Sequence, residues 1–346
     1  LDEIKKSLDE EHISYEEFGG VKPNPRLSFA REGVEKAIVF GAELILAVGG
    51  GSAIDTAKGI AIGAANPGTD IWEFWKNKKE LKTALPVGTV LTISAAGSEM
   101  SNSAVLTDEE TQDKSGIGSD LIRPKFAIMN PKLTYTIPKY QLTCGIVDIF
   151  MHTIERYFTP VHGNELTDEI AEGLMRTLIR NAAKAYENQE DYDAMSEIMW
   201  CGSISHNGIT GLGRPKDFLC HKLGHQLGAK FDEAHGATLS AVWGSWARYV
   251  YHLDEARFAN YGRKVWNIDE KNDEKTAVAA IERTEEFFRS LHMPTCLGDM
   301  KMGIQPDEVL KEMAGKATAG DTVKVGAFQK MGEKELYEIY KKANHR

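Results

Sequence analysis

What this chain lacks narrows its function before any motif does. It has no run of about 18 or more apolar residues, the length a membrane-spanning helix needs. No secretory leader pattern opens it, so the expected setting is cytoplasmic, with no membrane partner. Basic residues are in deficit: 41 Lys and Arg stand against 51 Asp and Glu, for a formal net charge of −10. That balance argues against a nucleic-acid partner, because phosphate binding needs a basic face. Cysteine is scarce. Cys144, Cys201, Cys220 and Cys296 show no CxxC or other ligand spacing and are expected to stay reduced, packed in apolar or helical surroundings. Repeats of fixed period and low-complexity tracts are absent, as are the GxGxxG and Walker fingerprints.

What is present describes a globular protein. At 346 residues the chain is too long for one ordinary core, and two domains are the natural expectation. The first third alternates helix and strand patterns. LDEIKKSLDEEH reads as helical and ISYEEFGG as a short strand and turn. AELILAVGGG is an apolar run ending in glycines, followed at once by the helical SAIDTAKGIAIGAAN. LPVGTVLTISAAG and FAIMN read as further strands. Strands alternating with helices predict a parallel, Rossmann-like α/β sheet. After about Pro138 the segments become long and helical, from QLTCGIVDIFMHTIERYF onward, with no strand expected. The predicted organisation is therefore an α/β domain over 1–137 and an all-α domain over 138–346.

Four residues of the helical part suggest a metal centre. Asp148 and His152 stand four apart, which puts both on one helix face. His221 and His235 stand fourteen apart some seventy residues later, the first inside a helical pattern and the second beyond a turn. Three nitrogens and one oxygen suit iron or zinc. The competing reading is that His152 is a satisfied core histidine and the others coat a helix. His225 shares a helix face with His221 and is either a further ligand or a proton shuttle, a task its neutral-range titration suits.

Two segments of the α/β part suggest a nucleotide. Gly49, Gly50, Gly51 and Ser52 join a strand to a helix, where glycines permit close approach of a phosphate and the helix start offers free N–H groups. Ser52 is the expected helix cap, and Asp55 follows within the first turn. Thr92, Ser94, Gly97, Ser98, Ser101 and Ser103 form a small polar loop after the second apolar strand, at the strand end where α/β sheets bind ligands. Lys114 is a candidate phosphate or ribose contact. The plainer readings are a tight turn, a serine-rich connector and a solvated lysine. A dinucleotide loop and a metal cluster facing one another across a cleft would suit hydride transfer.

With these motifs assembled, the chain resembles the iron-containing (group III) alcohol dehydrogenases, and within them the butanol dehydrogenase and aldehyde reductase branch. The resemblance runs nearly end to end. It is carried by EFGGVKPNP, LAVGGGSAIDTAKGIA, SAAGSEMSNSAVLTDEE, GIVDIFMHTIERYFTP and HKLGHQLGAKFDEAHGATLSAV. It implies that Asp148, His152, His221 and His235 bind the catalytic metal, iron first and zinc second, and that His225 lies beside the nicotinamide as a proton relay. It implies that Gly50, Gly51 and Ser52 hold the pyrophosphate and that Thr92, Ser94, Ser98 and Lys114 contact the coenzyme, with Asp55 completing the candidate set. The substrate it implies is a small alcohol or aldehyde such as butanol or butyraldehyde, and relatives suggest a homodimer. The chain departs from the family at Asn130 and Thr143, neither a ligand. It also opens inside a helical pattern without an initiator Met, whereas the family carries a strand and a GGGS-like turn ahead of that point. That segment usually decides NAD against NADP, so the choice between them stays open. The alternatives are a polyol dehydrogenase, a dehydroquinate-synthase-like lyase of the same architecture, and a non-catalytic protein with a structural metal. The lyase needs several cations around its substrate, and only Arg214, Lys222 and Lys230 are candidates.

Overall fold

Helix α2 (Leu27–Phe40) ends on Gly41, whose left-handed φ of 73° turns the chain into the apolar run of β1 (Ile45–Gly49). A single residue, Gly50, then separates β1 from helix α3 (Gly51–Ala64). A computed structural model describes residues 1–346, in two compact units: Leu1–Thr92 with Asn102–Met129, and Ile93–Ser101 with Asn130–Arg346.

The first unit opens with α1 (Asp2–Glu10) and adds a short α4 (Trp72–Trp75) after α3. Its sheet is parallel, as the alternation of strand and helix patterns predicts. β2 (Val87–Leu91) lies in the middle, wholly buried, between β1 and β5 (Phe126–Ile128). A second, antiparallel pair, β3 (Ser103–Asp108) and β4 (Asp113–Gly118), is not what the serine-rich sequence leads one to expect. Burial alternates from Ser103 to Leu106 before Thr107 breaks the pattern, and the chain turns at Gln112, which takes φ 55°. Ser103 is thus a strand residue, not part of a loop. ISYEEFGG, expected as a strand and turn, forms no regular element. It has no strand to pair with, and is held instead by Phe18, stacked on Phe29 with ring centroids 4.3 Å apart, and by the ion pair of Glu17 with Lys5.

The second unit is helical, without a strand of its own. It comprises α5 (Lys139–Tyr157), α6 (Glu165–Glu187), α7 (Tyr192–His206), α8 (Leu219–Phe231), α9 (His235–Val250), α10 (Glu255–Trp266), α11 (Asp273–Ser290), α12 (Asp307–Ala317) and α13 (Glu333–Ala343). Helix α5 is its axis. Every residue from Gly145 to Tyr157 is buried, so the helix is enclosed on all faces. Two backbone approaches define how it packs. Gly145 lies against the Ser94 carbonyl and Gly236 against the Cys144 carbonyl, each so close that a Cβ would overlap the oxygen. No helix is long and apolar enough to cross a membrane.

Candidate metal centre

A helix enclosed on every face should be apolar throughout, yet α5 carries Asp148, His152, Glu155 and Arg156 into the core. Burying such groups costs free energy unless each finds a partner. The partners identify the site.

Asp148 is the focus. Its Oδ1 has the Nε2 atoms of three histidines around it: His152 at 3.4 Å, His221 at 3.7 Å and His235 at 3.7 Å. These separations are long for direct hydrogen bonds. They match the spacing of about 3.4 Å between ligands held tetrahedrally at about 2.1 Å from one ion. Asp148, His221 and His235 each offer an atom within 4.8 Å of the others. His152 stands beside that triplet, with its ring 4.4 Å from the ring of His221. The buried Nε2 of His221 has no hydrogen-bond partner. A lone pair so placed, in a set of one carboxylate and three imidazoles, fits a divalent transition-metal ion.

Each candidate ligand is positioned by a different local device. Asp148 and His152 share a face of α5 through their spacing of four. His221 lies in the first turn of α8, whose start is unusual. Phe218 caps it with φ 53°, and no side chain of its own bonds the first turn. Acceptors come instead from Asp217 and from α5. Asp217 Oδ1 accepts from Leu219 N–H at 3.0 Å, while its Oδ2 accepts from the N–H groups of Ala327 and Phe328 at 2.8 and 2.7 Å. Burial, reinforced by the Glu155 charge, pushes this carboxyl up to about 6 against those three donors. His235 opens α9 immediately before Gly236, whose contact with Cys144 brings α9 onto α5.

The backs of His152 and His221 differ. Glu155, fully buried, accepts the Nδ1–H of His221. Arg156 donates to the His152 carbonyl at 2.5 Å and lies 3.3 Å from His152 Nδ1. Burial pulls His221 down, but Glu155 and Asp148 outweigh it and lift the imidazole to about 9. His152 is held well below the ordinary histidine range, first by burial and then by His206, His221, Arg156 and His235 around it. His206 stacks on His152 with centroids 4.1 Å apart and donates from Nδ1 to the Ala96 carbonyl. Phe218 closes the cluster, its ring 5.0 Å from His221 and 4.7 Å from the Arg156 guanidinium. Glu155, Arg156, His206 and Phe218 are not singled out by the sequence motifs. For Glu155 a signal exists: 148, 152 and 155 recur on one helical face. His225 is half-buried, with its ring 6.3 Å from His221 and 5.4 Å from His235, beside the triplet rather than in it.

The candidate nucleotide residues fall in both units. Gly50 is the N-cap of α3, with Gly51 and Ser52 in its first turn. Ser52 lies inside the helix, so the cap expected of it is not formed. Asp55 accepts the Val105 N–H at 2.9 Å, pinning α3 to β3. Thr92 follows β2 and donates its N–H to the Gly49 carbonyl at 3.0 Å, tying the two strand ends together. Lys114 donates to Asn24 Oδ1 at 2.9 Å. Ser94 and Ser98 belong to the segment 93–101, which packs with the helical unit, and both are buried. Of the cations considered for a lyase, Arg214 is engaged by Asp168 and Lys230 by Glu312.

Comparison with known proteins identifies the family. Residues 1–131 match the family model described as iron-containing alcohol dehydrogenase, and residues 143–344 match its C-terminal counterpart. The chain is 37% identical over 338 residues to the NADH-dependent butanol dehydrogenase A of Clostridium acetobutylicum, covering 97% of this chain and 86% of that one. It is 38% identical over 285 residues to the NADPH-dependent aldehyde reductase YqhD of Escherichia coli, covering 82% and 74%. The crystal structure of NADH-dependent butanol dehydrogenase A from Thermotoga maritima superposes with a TM-score of 0.94 at 34% identity, over 99% of this chain and 87% of that one. The chain belongs to the iron-containing alcohol dehydrogenase family.

Proposed function

We propose that this protein is a metal-dependent, NAD(P)-linked alcohol dehydrogenase that works as an aldehyde reductase on small primary alcohols and aldehydes such as butanol and butyraldehyde. The observation that carries the reading is the convergence of three imidazole Nε2 atoms on Asp148 Oδ1 in a chain of this family. When bound, the divalent cation polarises the substrate oxygen and the nicotinamide gives or takes the hydride. Asp148, His221 and His235, with His152 beside them, would hold the cation, iron first and zinc second. The carboxylate contributes charge and the imidazoles set the preference for a transition metal over magnesium or calcium.

The remaining assignments concern the chain's own residues. Gly50, Gly51 and Ser52 would present first-turn N–H groups of α3 to the pyrophosphate, a use supported by the single-residue connection between β1 and α3. Asp55, Thr92, Ser94, Ser98 and Lys114 complete the proposed coenzyme set. Asp55 does so by holding α3 in place, and Lys114 from a position it already shares with Asn24. His225 would pass the proton to and from solvent, since it is half-buried next to the ligand histidines yet outside the triplet. The relatives include both NADH- and NADPH-dependent enzymes, so the coenzyme is proposed only as NAD or NADP.

The test is a steady-state assay of metal-reconstituted protein. Fe²⁺ or Zn²⁺ is added with NADH or NADPH and butyraldehyde, and loss of absorbance at the nicotinamide band is followed. Aldehyde-dependent oxidation that needs the metal supports the reading. A protein that binds metal but oxidises neither coenzyme would return the centre to a structural role.

A further inference from the structure

We propose that Glu155 is the positioning residue of the metal centre: it fixes which nitrogen of His221 faces the metal, and it does so while serving as the helix cap that α8 lacks. The proposal rests on the reading of Asp148, His221 and His235 as metal ligands.

Glu155 has no exposed surface. Its Oε1 accepts from the Cys220 N–H at 2.6 Å and lies 3.4 Å from the His221 N–H, while Oε2 accepts the Nδ1–H of His221. Cys220 and His221 are the second and third residues of α8, whose N-cap, Phe218, supplies no side-chain acceptor. The first-turn N–H groups of a helix need an acceptor and favour a negative charge. One carboxylate therefore meets two needs, and both of its oxygens face donors. The Glu155 carbonyl also accepts from the Asp217 N–H at 3.0 Å, so α5 grips the start of α8 by main chain and side chain together.

The consequence for the imidazole follows from donor and acceptor counting. A carboxylate only accepts, so Nδ1 must carry a proton, and in the neutral ring that metal binding requires the lone pair is left at Nε2. That is the nitrogen 3.7 Å from Asp148 Oδ1. Partners at the remote nitrogen of a ligating histidine set its tautomer and strengthen it as a ligand.

An isosteric amide cannot replace the carboxylate. In the Glu155→Gln variant, an amide that turned its oxygen to the helix N–H groups would set its NH₂ against Nδ1, which would then have to accept. The proton would move to Nε2, where the metal binds. An amide turned the other way would set its NH₂ against the N–H groups of α8 and leave them unsatisfied.

The test compares wild type with Glu155→Gln by competition of Zn²⁺ against a chromophoric chelator, with circular dichroism to confirm the fold. The zinc dissociation constant is expected to rise by about 10–100-fold in the variant. Equal zinc affinity in a folded variant overturns the proposal while leaving the metal reading intact. A wild type that binds no zinc, iron or cobalt overturns the metal reading itself. Nitrogen-15 NMR of histidine in zinc-loaded wild type needs no variant to fold. It should show a slowly exchanging Nδ1–H on His221, coupled to a metal-shifted Nε2. A proton on Nε2 with zinc at Nδ1 overturns the assignment.

Discussion

Two buried charged clusters lie in the helical unit, and they are built on opposite principles. Around Asp168 the opposite charges meet directly. Arg257 donates to it through two nitrogens, at 2.5 and 2.6 Å, and Arg214 through a third. Arg257 also donates to the Tyr157 carbonyl at 2.6 Å, and Arg214 to the Thr210 carbonyl at 2.9 Å. Around Asp148 the groups converge but stop short. Three nitrogens stand 3.4–3.7 Å from one oxygen, and the buried Nε2 of His221 has no hydrogen-bond partner. A closed cluster has its reward in the fold, whereas the open one has the geometry of a ligand set. The difference teaches that burial of charge alone does not mark a functional site; convergence of metal-ligating atoms at the spacing of a ligand set is the better guide.

The largest effect that could break this contrast is expected at the open cluster. His235→Ala should remove the metal, with affinity falling by more than the roughly 10–100-fold typical of outer-shell changes, and turnover should fall with it. Its stability without metal should stay within about 1 kcal/mol of wild type, because His235 is only half-buried. Elemental analysis and urea unfolding check the two halves, and a variant that keeps its metal would sink the comparison. Next comes His225→Gln, expected to retain the metal but lower kcat by about 10²–10⁴-fold with loss of a limb in the pH–rate profile. Metal loss there would make His225 a ligand.

The closed cluster should answer in the opposite sense. Asp168→Asn leaves two buried guanidinium groups short of a counter-charge and is expected to cost about 3 kcal/mol at pH 7 with activity per folded molecule unchanged. Burial pushes the Asp168 carboxyl up, but Arg257 and Arg214 outweigh it and hold it below the ordinary carboxylate value. Its stabilisation is therefore complete above the unfolded value near 4 and lost as pH falls through the lowered folded value. Urea midpoints of wild type and variant should converge below that range; a constant gap would contradict the assignment. The smallest effect is expected at the exposed pair of Arg31 and Asp70 in the first unit, bidentate at 2.7 and 2.9 Å. Arg31→Ala should cost about 0–1 kcal/mol, and less in high salt.

Much of this is legible in the sequence because helices repeat. The spacing of Asp148 and His152, and of His221 and His225, is a statement about one face of one helix. The apolar run before Gly49 announces a strand leading into a helix for the same kind of reason. What stays hidden depends on contacts between distant segments. The spacing of 148, 152 and 155 puts Glu155 on the face of the candidate ligands, but nothing local says that it would meet the start of α8, that His206 would stack on His152, or that the N-cap of α8 would lack a side-chain acceptor. The β3–β4 pair is obscured by serines, whose composition resembles a loop until the alternation is weighed. The segment 93–101 packs with the helices because Gly145 admits the Ser94 carbonyl, a contact between residues about fifty positions apart.

The tie from Asp217 to Ala327 and Phe328 has a consequence in time. During synthesis the helix bearing His221 emerges about a hundred residues before the two N–H groups that complete the acid at its head. Until they arrive, the Asp217 carboxylate lacks two of the three N–H donors it has in the finished fold and keeps only that of Leu219. The ligand helix therefore reaches its final form only when the chain is nearly finished. A substitution near residue 327 would therefore act on the start of α8, and through it on the candidate centre, without touching Asp148 or any of its histidines.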